Sequence, residues 1–248
     1  MKTLRKTTSV LMLFAMLVNV SLTTSCTKED DMKDINSNDP SFEIWMVQKT
    51  GSTGNWSNLR WMIVLPNGKY FNQLPNEGFL NFSENQTGGT WGTFAMSNNS
   101  GTFTNQYETL NVTKISDTEM GIAGYTNHLY KLASVNGIKL SGKYVNGIPG
   151  WSTSGNYPYG PGDAQPMISF ESNNTFSDLG AFVTNFTAPY QDAQRAPGNG
   201  TYEIKDFTLI LNYSDGRKIT KAFSGVLNNK VTATSELVLI GGNPFYNK

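Results

Sequence analysis

The chain holds one histidine, His128, and one cysteine, Cys26. A histidine-cluster zinc site needs several histidines and a Cys-His nucleophile pair needs a free thiol, so one histidine rules out the first and the second rests on the state of Cys26. A Ser-His-acid triad would have to recruit His128 from Thr126-Asn127-His128-Leu129-Tyr130. No Gly-x-Ser-x-Gly elbow is present to hold its serine. Hydrolysis by paired carboxylates needs only two acids and is arithmetically possible, for instance with Asp163 and Glu171 or Asp192 and Glu203. Asp215-Gly216 and Asp163-Ala164 lack the ligand spacing of a calcium loop. The expectation is a protein that acts without catalysis, cofactor or metal.

Binding chemistry is better represented. Residues 146–166 form a Gly- and Pro-rich stretch carrying Trp151, Tyr157 and Tyr159. Flat aromatic faces stack on sugars or cover apolar ligands, and prolines reduce the entropy lost when such a loop is ordered. The same rings could instead fold back as a plug. A second stretch, 187–198, adds Tyr190 and Arg195. These five residues are the candidate ligand-binding set, for a small apolar or amphipathic molecule or a sugar. The principal alternative is a glycan-binding accessory or adhesion module using the same aromatics on an exposed surface, with a carbohydrate-active hydrolase third.

The elements that would position them are strands. Short apolar or alternating runs are separated by two-residue turn signals: Asn67-Gly68 divides Trp61–Leu65 from Lys69–Phe71, and Asp215-Gly216 divides Phe207–Tyr213 from Arg217–Thr220. Asn136-Gly137, Asn173-Asn174 and Asn228-Asn229 are read as further turns, because Asn and Gly tolerate positive φ. In Phe207–Tyr213 the odd-numbered residues are apolar and the other face carries Thr208 and Asn212, which predicts a half-buried strand. Trp45, Trp61 and Trp91 fall on strands and are assigned to the core, with Trp56 in a turn region. With 12% aromatic and 15% charged residues the chain has the composition of a folded β protein, not of a disordered one.

The strand pattern also repeats. Met62–Phe71 lies over Ile168–Ser177 at an offset of 106, Gly92-Thr93-Phe94 over Gly200-Thr201-Tyr202 at 108, and Ile122-Ala123-Gly124 over Ile240-Gly241-Gly242 at 118. Order is kept while the offset drifts, as when loops lengthen in one copy. The predicted units are 41–133 and 134–248, each with room for about eight short strands, the number a small antiparallel barrel needs to close.

The amino terminus reads as an address. Lys2, Arg5 and Lys6 precede the apolar run Val10–Val20, which is too short to cross a bilayer, where about 20 residues are needed, and fits a signal peptide over 1–25. Leu22-Thr23-Thr24-Ser25-Cys26 resembles the lipobox of bacterial lipoproteins, and Thr27-Lys28-Glu29-Asp30-Asp31 resembles the surface-export signal of Bacteroidota-type lipoproteins. The resemblance implies acylation at Cys26, a flexible tether over 26–40 and an outer-membrane, cell-surface location held by the acyl anchor alone. With its one cysteine expected to carry lipid, the chain has no free thiol for a Cys-His nucleophile pair, which rules that chemistry out as well. Leu140-Ser141-Gly142-Lys143-Tyr144 resembles the opening strand of lipocalin-like proteins, with Tyr where the pattern has Trp, and Gly200–Ile204 with Phe207–Tyr213 resembles their middle strands. That likeness implies an all-β fold of two consecutive lipocalin-like barrels. Without the three amino-terminal basic residues the chain has 16 basic and 19 acidic side chains, a net of −3. With the basic residues scattered, a nucleic-acid partner is not expected.

Overall fold

The computed structural model describes residues 41–48, 59–146, 167–182 and 196–248. These contain strands and turns and no helix. Eight strands come first: β1 Glu43–Gln48, β2 Leu59–Val64, β3 Lys69–Phe71, β4 Trp91–Ser97, β5 Ser100–Asn105, β6 Thr109–Ser116, β7 Glu119–Ile122 and β8 Leu129–Lys131. Eight more follow: β9 Gly142–Asn146, β10 Met167–Phe170, β11 Thr175–Asp178, β12 Gly198–Lys205, β13 Thr208–Tyr213, β14 Lys218–Ser224, β15 Leu237–Ile240 and β16 Asn243–Asn247. Each set pairs in chain order, antiparallel throughout, and closes on itself through β1 with β8 and β9 with β16. The fold is thus two consecutive eight-stranded antiparallel barrels, lipocalin-like in architecture, and closure leaves neither sheet a free edge.

The repeat seen in the sequence maps onto this topology strand for strand. Its first landmark joins β2–β3 to β10–β11, its second β4 to β12, its third β7 to β15. The turns agree in detail. Gly68 and Asn174 occupy the same place with φ of 78° and 67°. Leu65 N–H donates to Lys69 O at 2.8 Å and Glu171 N–H to Thr175 O at 2.9 Å. Phe94 N–H reaches Gly68 O and Tyr202 N–H reaches Asn174 O, at 2.6 and 2.8 Å, so each turn is also stitched to the fourth strand of its barrel. Asn67 and Asn173 each accept the N–H two residues on through Oδ1. Asn-Gly and Asn-Asn serve equally because a short polar side chain tolerates the left-handed backbone.

Alternation fills each interior. Trp45, Met62, Tyr70, Phe103, Val112, Met120 and Leu129 pack the first barrel. Tyr144, Phe170, Tyr202, Leu209, Leu211 and Phe223 pack the second. The opposite parity of β1 and β2, with Ile44, Met46, Trp61 and Ile63, joins the core cluster of the second barrel, so the first barrel turns an apolar outer face toward its neighbour. This corrects the half-buried reading of Phe207–Tyr213: Thr208 is fully buried and Ile210 nearly so, while Asn212 alone of that face is exposed. The 74–82 segment of the first barrel covers the face, with Thr208 Oγ1 accepting Phe79 N–H at 2.6 Å. Phe42, Phe79 and Phe82 stack around the same point, and Phe207 meets Phe42 at 6.3 Å. Two turn assignments also shift. Phe207 belongs to the β12–β13 turn, with φ of 53°. In the 226–229 turn Leu227, not an asparagine, takes positive φ, and its N–H points at Met46 Sδ, 3.4 Å away in the first barrel.

Candidate binding site at the mouth of the second barrel

One end of the second barrel is shut. Tyr144, in the Gly-x-Tyr position of the opening strand, is fully buried, meets Phe170 edge-on at 5.8 Å and donates its hydroxyl to Ser235 O at 3.0 Å. Burial pushes its pKa up to about 12. Tyr202 closes the same end, its hydroxyl 3.0 Å from Leu140 O, and the 132–141 connection and the β14–β15 loop lie beneath with Val135, Leu140, Val226 and Val231. The lower half is therefore a packed core, not a hollow calyx.

The other end is built, among the described residues, from turns and strand ends. The β13–β14 and β15–β16 turns, the last residue of β9 and the residues after β11 share it, and between them lies a cavity of about 460 Å³. Strand phase explains the inward part of the lining, while Lys218 and Thr220, on the outward phase of β14 with Asn212 and Ile210, border the cavity from the other face. Tyr144 and Asn146 point inward on β9, Ile219 and Lys221 do so on β14 opposite Leu211 and Leu209, and Phe245 faces Val238 and Asn146. Ile219, Ile240, Phe245 and Phe182 give the cavity an apolar base, with the Phe182 and Phe245 rings 5.9 Å apart. Asn146, Asn243, Lys218 and Lys221 give it a polar rim. Asn76 and Glu77 line one side from the first barrel. A volume of this size is compatible with a small molecule.

Beside the cavity Asp178 holds the rim together. Its carboxylate is 1% exposed, accepting the Tyr213 hydroxyl at 2.7 Å and Ala181 N–H at 2.7 Å. Desolvation raises its pKa, against the lowering effect of these hydrogen bonds and of Arg217. Desolvation, reinforced by Asp178, also raises that of Tyr213. Arg217 lies over the Tyr213 ring at 4.1 Å and donates to Ala196 O and Pro197 O, which ties the start of β12 to the β13–β14 turn. The carboxylate thus orients Ala181 and Phe182, whose side chains reach the cavity.

No family model matches the chain, and no curated protein is similar to it. The fold and the site geometry are what bear on function.

Cys26 and the five candidate ligand-binding residues Trp151, Tyr157, Tyr159, Tyr190 and Arg195 lie outside the described residues, as do Trp56, Asp163 and Asp192. Their flanks are informative: Asn146 precedes one of these stretches, Phe182 precedes the other, and both line the cavity. Glu171 and Glu203, the described members of the two acid pairs, are exposed. His128 sits just before β8, partly exposed, with Nδ1 2.6 Å from Glu119 Oε1. Among the described residues no group of three His, Cys, Asp or Glu side chains could hold a metal. Sequence reasoning missed Lys221, Asn243 and the Asn76-Glu77 contribution. Continuing the inward alternation from Tyr144 reaches Asn146, but nothing local signals that a loop of the first barrel borders the mouth of the second.

Proposed function

We propose that this is a lipid-anchored, surface-exposed outer-membrane protein whose second barrel holds a small amphipathic molecule or sugar without transforming it. The observation that carries the reading is the mouth cavity, apolar below and ringed by amides and lysines above. A ligand with an apolar part on Phe182, Ile219 and Phe245 and a polar part on Asn146, Asn243 and Lys218 would satisfy both. The barrel fold is compatible with that role, and the amino-terminal signal supports the anchor. Native mass spectrometry of the full chain from its own host tests the binding, with a denaturing spectrum to separate covalent acyl mass from bound ligand. Asn243→Trp, which places an indole in the cavity from an exposed position, is expected to remove the non-covalent mass. An unchanged ligand mass in that variant refutes the site. Cys26→Ser is expected to release the chain from the membrane fraction, and its retention there would refute the anchor.

A further inference from the structure

The corresponding end of the first barrel carries a different constellation. Arg60, near the start of β2, shares the inward phase of Met62 and Val64. Its guanidinium grips Glu108 with both terminal nitrogens, Nη1 donating to Oε2 at 3.0 Å and Nη2 to Oε1. Glu108 belongs to the β5–β6 turn, which is fixed by one side chain: Asn105 Oδ1 accepts Tyr107 N–H at 2.8 Å and Glu108 N–H at 3.2 Å, while Asn105 Nδ2 donates to the Tyr70 hydroxyl at 2.9 Å. Two tyrosines stand out from the rim. Tyr107 is 77% exposed at that turn, and Tyr125 is 42% exposed in the β7–β8 turn at the same end of the barrel.

We propose that this mouth of the first barrel is a second binding site, specific for a saccharide, in which Tyr107 and Tyr125 present ring faces and the Arg60–Glu108 pair bonds a vicinal diol. The pair is neutral overall, so it offers little net attraction to an anion. It does present donors and acceptors side by side: a guanidinium has five N–H groups, of which Glu108 takes two, and each carboxylate oxygen has a lone pair beyond the one Arg60 uses. Adjacent sugar hydroxyls, each both donor and acceptor, complement that arrangement. The C–H face of a pyranose complements an exposed phenol ring. Asn105 locks the backbone of the turn that carries Tyr107, so the ordering cost on binding is confined there to the tyrosine side chain. The site is independent of the cavity in the second barrel, and either can fail without the other.

The test is an array of neutral and acidic oligosaccharides probed with the full chain, with each captured glycan then measured by calorimetry. A neutral glycan should be retained, and Tyr107→Ala combined with Tyr125→Ala should weaken it at least tenfold without moving the melting temperature. If the double variant melts early, Tyr107→Ala alone, at the more exposed position, serves with an expected loss of at least threefold. Glu108→Gln should also weaken binding, whereas Tyr125→Phe, which keeps the ring, should preserve it. Asn243→Trp should leave the affinity intact. The proposal is overturned if the wild-type chain retains no neutral glycan, if the tyrosine variants bind as it does, or if Asn243→Trp abolishes capture and so moves the saccharide to the second barrel.

Discussion

Replacing Thr208 by Val tests whether the two barrels share one core. The side chain is fully buried, and its hydroxyl accepts Phe79 N–H at 2.6 Å across 129 residues of chain while donating to Asp206 O at 3.2 Å. Valine has nearly the same shape, so no cavity opens and the loss is confined to the hydrogen bonds. An amide N–H orphaned in a buried site costs about 1–3 kcal/mol. For a protein of this size that is about 2–4 °C in melting temperature per kcal/mol. Thr208→Ser keeps the hydroxyl and removes the methyl group that packs on Gly78, a loss of about 1 kcal/mol, so it isolates the packing part. The assay is urea unfolding followed by tryptophan fluorescence and by far-ultraviolet circular dichroism. In a Trp151→Phe background every remaining tryptophan belongs to residues 41–133, with Trp45, Trp61 and Trp91 on strands of the first barrel, whereas the substitution lies in the second. A shared core requires the fluorescence midpoint to fall with the dichroism midpoint, at unchanged slope. A fluorescence transition that stays at its wild-type midpoint, or a wild-type chain that unfolds in two separate steps, would refute the reasoning.

Gly92 and Gly200 hold equivalent places in β4 and β12, and a β-carbon at either would press on a neighbouring backbone carbonyl, that of Thr104 or Asn212, with the Tyr70 ring also in the way at Gly92. Alanine at each is expected to cost about 1–3 kcal/mol in chemical denaturation, and a neutral result at one site would break the equivalence of the barrels there. The folded-state pKa of Asp178 is raised, so this residue contributes stability that is present below its unfolded pKa of about 3.9 and lost as pH rises through the folded value. Asp178→Asn keeps an acceptor for Ala181 N–H and a partner for the Tyr213 hydroxyl but removes that loss. Its melting temperature relative to wild type should therefore climb between pH 4 and pH 7, in the presence of the neighbouring Arg217, Tyr213 and Asp215, and parallel pH profiles would refute the assignment.

Much of the architecture was legible in the residues because closed antiparallel sheets write themselves locally. Lys69–Phe71 is bounded by a turn whose Gly68 needs positive φ, and the same turn recurs at Asn173-Asn174 with the same bonds. The repeat followed from such landmarks. What escaped was set by contacts distant in sequence. The alternation of Phe207–Tyr213 marks one face as apolar, but whether the other meets water depends on the 74–82 segment laid across it. Leu227 adopts a conformation usual for Asn or Gly because packing against Met46 outweighs local preference. The cavity escaped for the same reason, since Asn76 and Glu77 come from the other barrel. The aromatic loops that drew attention by composition lie outside the described residues, but they flank residues that line the mouth.

The closure of each barrel by its own first and last strands bears on how such a chain could arise. Because β1 lies beside β8 and β9 beside β16, the chain enters and leaves each barrel at neighbouring strands. A gene segment encoding one barrel could be copied in tandem with no strand exchanged and no seam reopened, needing only the short link from Leu132 to Ser141. The two mouths differ in their inward polar residues, with Arg60 on β2 in the first barrel and Lys221 on β14 in the second. The β2–β3 and β10–β11 turns at the opposite ends share their bonding. The likeness of the two copies therefore resides in strand order, closure and this shared turn, while the polar side chains at the two openings differ.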